Sequence, residues 1–421
     1  MADPRTEREG SSRDTIIPTH STHLIGIVRL ALGFPVLFGA LVSLLGTTWD
    51  IQWHFAIGRD RTLLLPHIMI LSGILLSGLA ALAEVVIETI WIRRNPTLAV
   101  YSTSFAGLFQ SSPGSYLAGY AALTAAIAFP LDAYWHALYG IDVAIWAPFH
   151  VMELASGGLI PLGAAFMLVS ASILAERAGD ARTMRVGYCG AVVAFAMVLS
   201  IFTLLLSDAL KGQGYIMIGT MMEGWNMFSL FPPLSGLLVA WVLVAAVSAI
   251  PQRRVATLVV LVYGCLALLF SAFVPPAMGY LVGLEHLSYR ANPAFSFFAV
   301  NIDLSHLSLI AVSFWPLAPL LVAPLVDYIG GRARRKGWSR RRMLLALAAI
   351  TLIAGIPLLV VSPSALIDMI VVLGMSGHVT ILGVSGLLIS LLLGMCGTVL
   401  GVWSGRRMGE FVRWKEKERE W

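Results

Sequence analysis

Two stretches of the sequence repeat one arrangement of aspartate and histidine. Each opens with Asp-x-x-Trp-His, passes through a glycine and an aspartate, and closes with a second histidine 13 or 14 residues after the first. A proline stands one or two residues before that second histidine. A motif that occurs twice with nearly the same spacing indicates a shared chemical role rather than chance. The repeated residues are Asp50, His54 and His67 in the first stretch and Asp132, His136 and His150 in the second.

The spacing within each motif predicts a metal site built from two helices. Residues four apart share a helix face, so Asp50 and His54 can point at one place if the helix continues through them. Proline is tolerated in the first turn of a helix, which places His67 in the first turn of the next helix. Two imidazoles and one carboxylate suit copper, iron or zinc, and they leave coordination positions open. The alternative interpretation is that these side chains only cap helix ends and pair with each other.

Other polar residues are weaker candidates for the same chemistry. Asp60, Asp142 and Glu153 are predicted to support the ligands, because a carboxylate beside a metal-bound imidazole orients it. Glu153 could alternatively be a fourth ligand. A further set of acidic and histidine residues in the second half of the chain could form a third site, although helix-end or interfacial polar groups are the favoured interpretation. The members of this set are His286, Asp303, His306 and His378.

The elements that must position these residues are transmembrane helices. The 421 residues are 58% hydrophobic and only 12% charged, whereas soluble domains carry about 25% charged residues. Continuous apolar runs approach or exceed the roughly 20 residues that span a bilayer core as helix. We therefore predict an all-α, polytopic transmembrane bundle of about ten helices in a lipid bilayer. The predicted ranges are 24–48, 65–91, 114–131, 148–176, 186–208, 234–250, 255–275, 299–326, 342–362 and 377–403.

The basic residues predict how these helices are oriented. Of the 28 Lys and Arg residues, 23 fall on the side of the two termini and only 4 fall in the loops on the other side. Because basic loops stay in the cytoplasm, both termini are predicted to be cytoplasmic and the motifs to lie on the outer face. This role for the basic residues removes the reason to expect nucleic acid as a partner. We expect the plasma membrane of a bacterium or an archaeon.

The sequence is expected to divide into four regions. Residues 1–23 are polar and are predicted to be a disordered cytoplasmic tail. Residues 24–210 form the membrane domain that carries both motifs. Residues 211–404 contain further transmembrane helices of unknown role, and residues 405–421 form a charged cytoplasmic tail. The three cysteines lie far apart in apolar stretches, so neither a disulfide framework nor a thiolate metal site is predicted.

The first motif resembles one found in a membrane subunit of the copper membrane monooxygenases, which are the particulate methane and ammonia monooxygenases. The pattern of that subunit family is Asp-x-x-Trp-His, then Arg-Asp, then a proline close to a histidine thirteen residues after the first. The second motif keeps the family's histidine spacing, with Asp132 in place of the family's asparagine. The family's His-x-x-Glu is echoed at His150 and Glu153. The first motif matches at Asp50, Trp53, His54, Arg59, Asp60, Pro66 (displaced by one position) and His67.

The resemblance covers about residues 45–210, and it implies a copper-binding protein that activates oxygen to hydroxylate a small apolar substrate. It also implies companion membrane subunits, with a homo-oligomer as the alternative assembly. No catalytic residue is assigned, and the second half of the chain has no counterpart in the family. The alternative function is a metal or small-molecule transporter, or a metal-handling protein. A transporter should carry ionisable groups at mid-membrane depth, whereas the middles of these helices are nearly free of charge.

Overall fold

The computed structural model is an all-α helical membrane protein, as the sequence predicts. It describes residues 19–57, 63–139, 147–220, 231–287, 318–339, 341–343, 345–346, 349 and 381–417. Within these residues, six helices are long and apolar enough to cross a bilayer. The total of ten helices and the cytoplasmic termini stay predictions. The six spanning segments are Ser21–His54, Leu65–Arg94, Pro113–Tyr139, Pro148–Arg177, Ala181–Leu205 and Val255–Leu284.

Four helices carry the two motifs, and they come in two pairs along the chain. Helices α1 (Thr19–Ala56) and α2 (Leu65–Arg94) form the first pair. Helices α3 (Pro113–Tyr139) and α4 (Pro148–Arg177) form the second. Each second helix begins with a proline in its first turn, where the missing backbone N–H has no helical partner to lose. These prolines therefore determine where each second histidine enters the fold.

A short β-hairpin joins the two pairs, and it was not predicted from the sequence. A 3-10 helix (Pro96–Tyr101) leads into strand β1 (Thr103–Phe105), which pairs antiparallel with strand β2 (Phe109–Ser111). The hairpin is anchored to α2, because the backbone N–H of Gln110 donates to the Thr89 hydroxyl at 2.9 Å. The hairpin thus packs on the end of α2 that lies farthest from the motifs.

The second half of the chain adds further long helices. Helix α7 continues through Pro275 and Pro276 and ends beyond the predicted boundary at 275. The predicted segments 299–317 and 351–376, and most of 342–350, lie outside the described residues. The bounds of these helices are Ala181–Thr220 for α5, Phe231–Ala249 for α6, Val255–Leu284 for α7, Ala318–Arg335 for α8 and Ile381–Lys417 for α9.

The predicted ends of the first and third helices, at 48 and 131, are wrong by two turns. Helix α1 continues to Ala56 and α3 continues to Tyr139. Helix α3 does so although Pro130 lies inside it. The polar residues at these ends lowered the apolar character used to set the boundaries, yet they keep helical spacing. Asp50, His54, Asp132 and His136 consequently lie on helices rather than in the predicted outer loops.

Helices α1 to α4 close into a bundle in which neighbours run antiparallel. Gly46 of α1 lies against Pro66 of α2, and Gly39 lies against Gly73, so later residues of one helix meet earlier residues of the other. Helix α3 meets α4 in the same sense, and α1 and α2 also pack against α4 and α3 respectively. The C-terminal ends of α1 and α3 therefore share one end of the bundle with the N-terminal ends of α2 and α4.

We name the two ends of this bundle by their residues. The triad end contains Asp50 and Asp132 with the histidines of both motifs, and the basic end contains Arg94 and Arg177. At the basic end, Asp180 caps α5 by accepting from the backbone N–H groups of Arg182 and Thr183, each at 3.1 Å. A hydrogen bond from the Thr183 hydroxyl, with a second from His23, holds the pKa of Asp180 well below its usual range. This carboxylate ties the start of α1 to the start of α5.

Close packing of α1 on α2 is expected to fail when Gly39 is replaced by leucine. A Cβ atom on Gly39 would lie 2.5 Å from the carbonyl oxygen of Gly73, which is backbone and cannot move aside. We expect a loss of roughly 1–3 kcal/mol, the usual range for overpacking. Thermal unfolding in detergent measures it, with Gly264→Leu as the control because a Cβ there meets nothing within 4 Å. Equal stability of the two variants would contradict the packing described.

Candidate metal centre

The first motif forms a compact triad across α1 and α2. Asp50 and His54 lie in the last two turns of α1, and His67 lies in the first turn of α2. One carboxylate oxygen, Asp50 Oδ1, is 3.0 Å from His67 Nε2 and 3.7 Å from His54 Nε2. The two imidazole rings are tilted by 41° with centroids 6.5 Å apart. Three donor atoms from two helices thus face one small space.

The second motif repeats this geometry across α3 and α4. Asp132 Oδ2 lies 3.0 Å from His136 Nε2 and 3.3 Å from His150 Nε2. The ring centroids of the two histidines are 5.5 Å apart. As in the first triad, the aspartate and the first histidine are four residues apart on one helix, and the second histidine is the third residue of the next. The internal repeat in the sequence is therefore a repeat in structure.

Both triads suit a metal ion by their donor atoms and their compactness. In each triad the three ligand atoms lie within 4.8 Å of one another. Two neutral imidazole nitrogens and one carboxylate oxygen are donors that copper, iron and zinc accept, and three protein ligands leave positions open. Asp132 Oδ1 is buried and makes no hydrogen bond, so this carboxylate has coordinating capacity that the protein does not use. Within the described residues, no other group of this kind occurs.

The ligand side chains are partly exposed, which gives an ion a way in. Exposure of the six side chains ranges from 15% to 23%. A closed structural site would bury its ligands completely, whereas an open site can exchange its ion or bind a further small ligand. The geometry also permits simple ion pairs between each aspartate and protonated histidines, which is the alternative that the sequence left open.

The two triads are near neighbours at the triad end. The His67 ring packs edge-on against Phe129 of α3, with centroids 5.8 Å apart. The Asp50 carboxylate is close enough to His150 of the other triad for their charges to interact. Glu153, one turn after His150, interacts electrostatically with both triads. Its Oε1 atom is buried and makes no hydrogen bond, so Glu153 is placed to influence both sites.

The other predicted site residues have different outcomes. His286 is described, and it lies exposed just after the end of α7 with a positive φ of 50°. It belongs to neither triad. The remaining predicted candidates lie outside the described residues, so their roles stay predictions. These residues are Asp60, Asp142, Asp303, His306 and His378.

Sequence reasoning missed three buried polar side chains beside the first triad. The indole N–H groups of Trp49 and Trp53 and the whole amide of Gln52 are buried without a hydrogen bond. These residues share a face of α1 adjacent to the face that carries Asp50. Buried polar groups without partners are expected to hold water or a ligand. Their spacing of three and four residues was the available signal, but it fits aromatic core packing equally well.

Sequence reasoning also gave no role to Glu84 and Glu88 of α2. The structure buries both carboxylates completely and pairs Glu88 with Arg29 of α1. They lie toward the basic end, away from the triads. The arginine inside the first predicted helix was the one signal that a buried partner would be needed.

Comparison with known proteins gives no further assignment. No protein-family model, no curated protein and no solved structure matches this chain. The fold and the candidate site together define a class only: a polytopic helical membrane protein with two Asp/His/His groupings at one end of a four-helix bundle.

Proposed function

We propose that this chain is an integral membrane metalloprotein that binds copper in its two triads. The observation that carries the proposal is the repeated convergence of one aspartate and two histidines from adjacent helices, with their ligand atoms within 4.8 Å of one another. The resemblance to a membrane subunit of the copper membrane monooxygenases supports copper over iron or zinc. The distribution of basic residues supports an outer-face location for both sites.

Each residue of a triad has a definite task under this proposal. Asp50 and Asp132 supply the anionic ligand, and the histidines supply neutral Nε2 donors. The phenylalanine ring beside His67 restricts the orientation of that imidazole. Glu153 supplies a carboxylate between the triads that can hold a proton or orient an imidazole.

The proposed reaction is the hydroxylation of a small apolar substrate. Bound copper would supply the capacity to activate molecular oxygen. An apolar substrate would reach the triad end from the lipid, because the bundle presents apolar helices to the bilayer. Companion membrane subunits, or a second copy of this chain, would complete such an enzyme.

A metal-handling role is the second candidate, and the partial exposure of the ligands favours it. An ion held by side chains that are 15–23% exposed can be passed to or from a soluble carrier. The two candidates share the metal sites and differ in the step after binding. Oxygen consumption that requires copper and an apolar substrate would support the enzyme, whereas copper transfer to a chelator without oxygen uptake would support metal handling.

The metal sites themselves are tested by elemental analysis of the purified chain. We expect up to two copper ions per chain in the wild type, and one fewer in each of the variants His54→Ala and His136→Ala. Wild-type protein that takes up no metal from a copper solution would overturn the proposal. Unchanged metal content in both variants would overturn it as well.

Glu153→Gln is expected to weaken copper binding on the order of 10–100-fold, which is the usual effect of removing a group that supports a metal ligand. The amide keeps the size of the side chain but removes its negative charge from the space between the triads. Competition with a copper chelator measures the change in Kd. Glu176→Gln on the exposed part of the same helix is the matched control. Equal affinity in the two variants would remove Glu153 from the site.

A further inference from the structure

The basic end of the bundle encloses three charged side chains within the membrane-spanning helices. Arg29 of α1 and Glu84 and Glu88 of α2 are each 0% exposed. Ionisable groups inside membrane-spanning helices are costly to bury, so they mark functional sites more often than surface charges do. Two carboxylates with one guanidinium carry one negative charge too many if both carboxylates are ionised. The excess must be compensated by a bound proton or another cation.

Glu88 neutralises the charge of Arg29. The guanidinium donates to both carboxylate oxygens of Glu88, from Nε at 2.7 Å and from Nη2 at 3.0 Å. It also donates to two neutral oxygens, the Ser170 hydroxyl at 2.5 Å and the Tyr101 carbonyl at 2.6 Å. A bidentate arginine–carboxylate pair with neutral acceptors around it is complete as a structural unit. Glu84 is therefore surplus to the ion pair.

Glu84 has neutral hydrogen-bond partners. Its Oε1 atom accepts a hydrogen bond from the Ser112 hydroxyl at 2.5 Å, and its Oε2 atom is buried without any partner. Ser112 is 3.4 Å from the Ser115 hydroxyl, which donates to the Ser111 hydroxyl at 2.9 Å. An ionised carboxylate with serine hydroxyls as its nearest partners is poorly compensated in such a place. The charged or titratable groups that act on Glu84 from the surrounding helices are Arg29, Glu88 and, from α3, Tyr116.

We propose that Glu84 is an intramembrane proton-binding site, independent of the triads, whose proton is held on Oε2 while Ser112 donates to Oε1. Binding adds one proton to one carboxylate and no other bond changes. The geometry favours a proton over an alkali cation, because the oxygens of Glu84 and Ser112 meet directly at hydrogen-bond distance. A metal ion would need those oxygens arranged around a central space instead.

The serine hydroxyls give this proton a route toward the basic end. They lead from Glu84 through Ser112 and Ser115 to Ser111, the last residue of β2. The preceding residue of that strand, Gln110, is partly exposed. The hairpin thus carries the chain of hydroxyls to within one residue of the surface. Proton exchange is expected from the side of the membrane opposite the triads.

Infrared difference spectroscopy of the full-length protein in detergent at about pH 7 tests the proposal. A protonated carboxylic acid has a carbonyl stretching band above the amide I band, whereas an ionised carboxylate absorbs well below it. Subtracting the spectrum of Glu84→Gln from that of the wild type is expected to show one such acid band. Glu176→Gln, at an exposed position, is the control and should show none. A difference spectrum with carboxylate bands and no acid band would overturn the proposal.

A second variant keeps the test decisive if Glu84→Gln does not fold. Ser112→Ala removes the hydrogen bond to Oε1, which is the carbonyl oxygen of the protonated acid. A carbonyl that loses a hydrogen bond absorbs at higher frequency, so an acid band is expected to shift upward in Ser112→Ala. An acid region that is identical in Ser112→Ala and in the wild type would overturn the proposal. Neither result depends on metal, so failure here leaves the metal proposal intact.

Discussion

Replacing His67 by alanine is expected to remove one of two copper ions from the protein, and replacing His150 is expected to remove the other. Each histidine is the only ligand that its helix, α2 or α4, contributes to a triad. Without it, one aspartate and one imidazole remain on a single helix. The loss of affinity at that site should be on the order of 100-fold or more, because removing even a supporting group costs 10–100-fold.

The two single variants should be independent, and the double variant should bind no copper. Copper titration with a competing chelator resolves one site from two. His286→Ala is the matched control, since this exposed histidine after α7 lies in neither triad. Loss of both ions from a single variant would mean that the triads form one inseparable site. Full retention of copper in the double variant would mean that the ligands lie elsewhere.

Replacing Arg29 by methionine is expected to destabilise the protein by about 3–5 kcal/mol, the usual result of removing one partner of a buried ion pair. The variant leaves the Glu88 carboxylate 0% exposed without a counter-charge. It also frees the Tyr101 carbonyl, which helps to hold the segment between α2 and α3. Unfolding in a denaturing detergent, followed by helical signal, measures the change.

The double variant Arg29→Met, Glu88→Leu is the control for this prediction. Replacing both partners of a buried ion pair by apolar residues is often neutral or even stabilising, since no charge is left unpaired. The double variant should therefore recover most of the lost stability. A double variant that is less stable than Arg29→Met alone would contradict the role assigned to the pair.

Much of the candidate site could be predicted because it depends on local spacing. Asp50 and His54 are four residues apart, and such residues share a face on any α-helix. The proline before His67 sets the start of α2 in the same local way. The same two rules bring together Asp132, His136 and His150. The helix ends at 48 and 131 could not be placed correctly, because an apolar-run criterion stops at the first polar residues even where the backbone stays helical.

The buried charges at the basic end could not be predicted, because they depend on packing between distant residues. Arg29 and Glu88 are 59 positions apart in the sequence, and nothing near either residue indicates the other. Their pairing depends on the antiparallel packing of α1 on α2 through Gly39 and Gly73. The hairpin escaped prediction for a different reason. Its strands are three residues each, too short to show an alternating pattern.

The central claim is that each triad holds a copper ion through two imidazoles. Pulsed electron paramagnetic resonance of the copper(II)-loaded protein tests it most directly, because the signal reports the imidazole nitrogens around each copper. We predict coupling to two imidazoles per copper in the wild type and to the two imidazoles of the intact triad in His67→Ala. Copper signals without imidazole coupling, or wild-type signals that persist unchanged when His67 and His150 are both replaced, would contradict this claim.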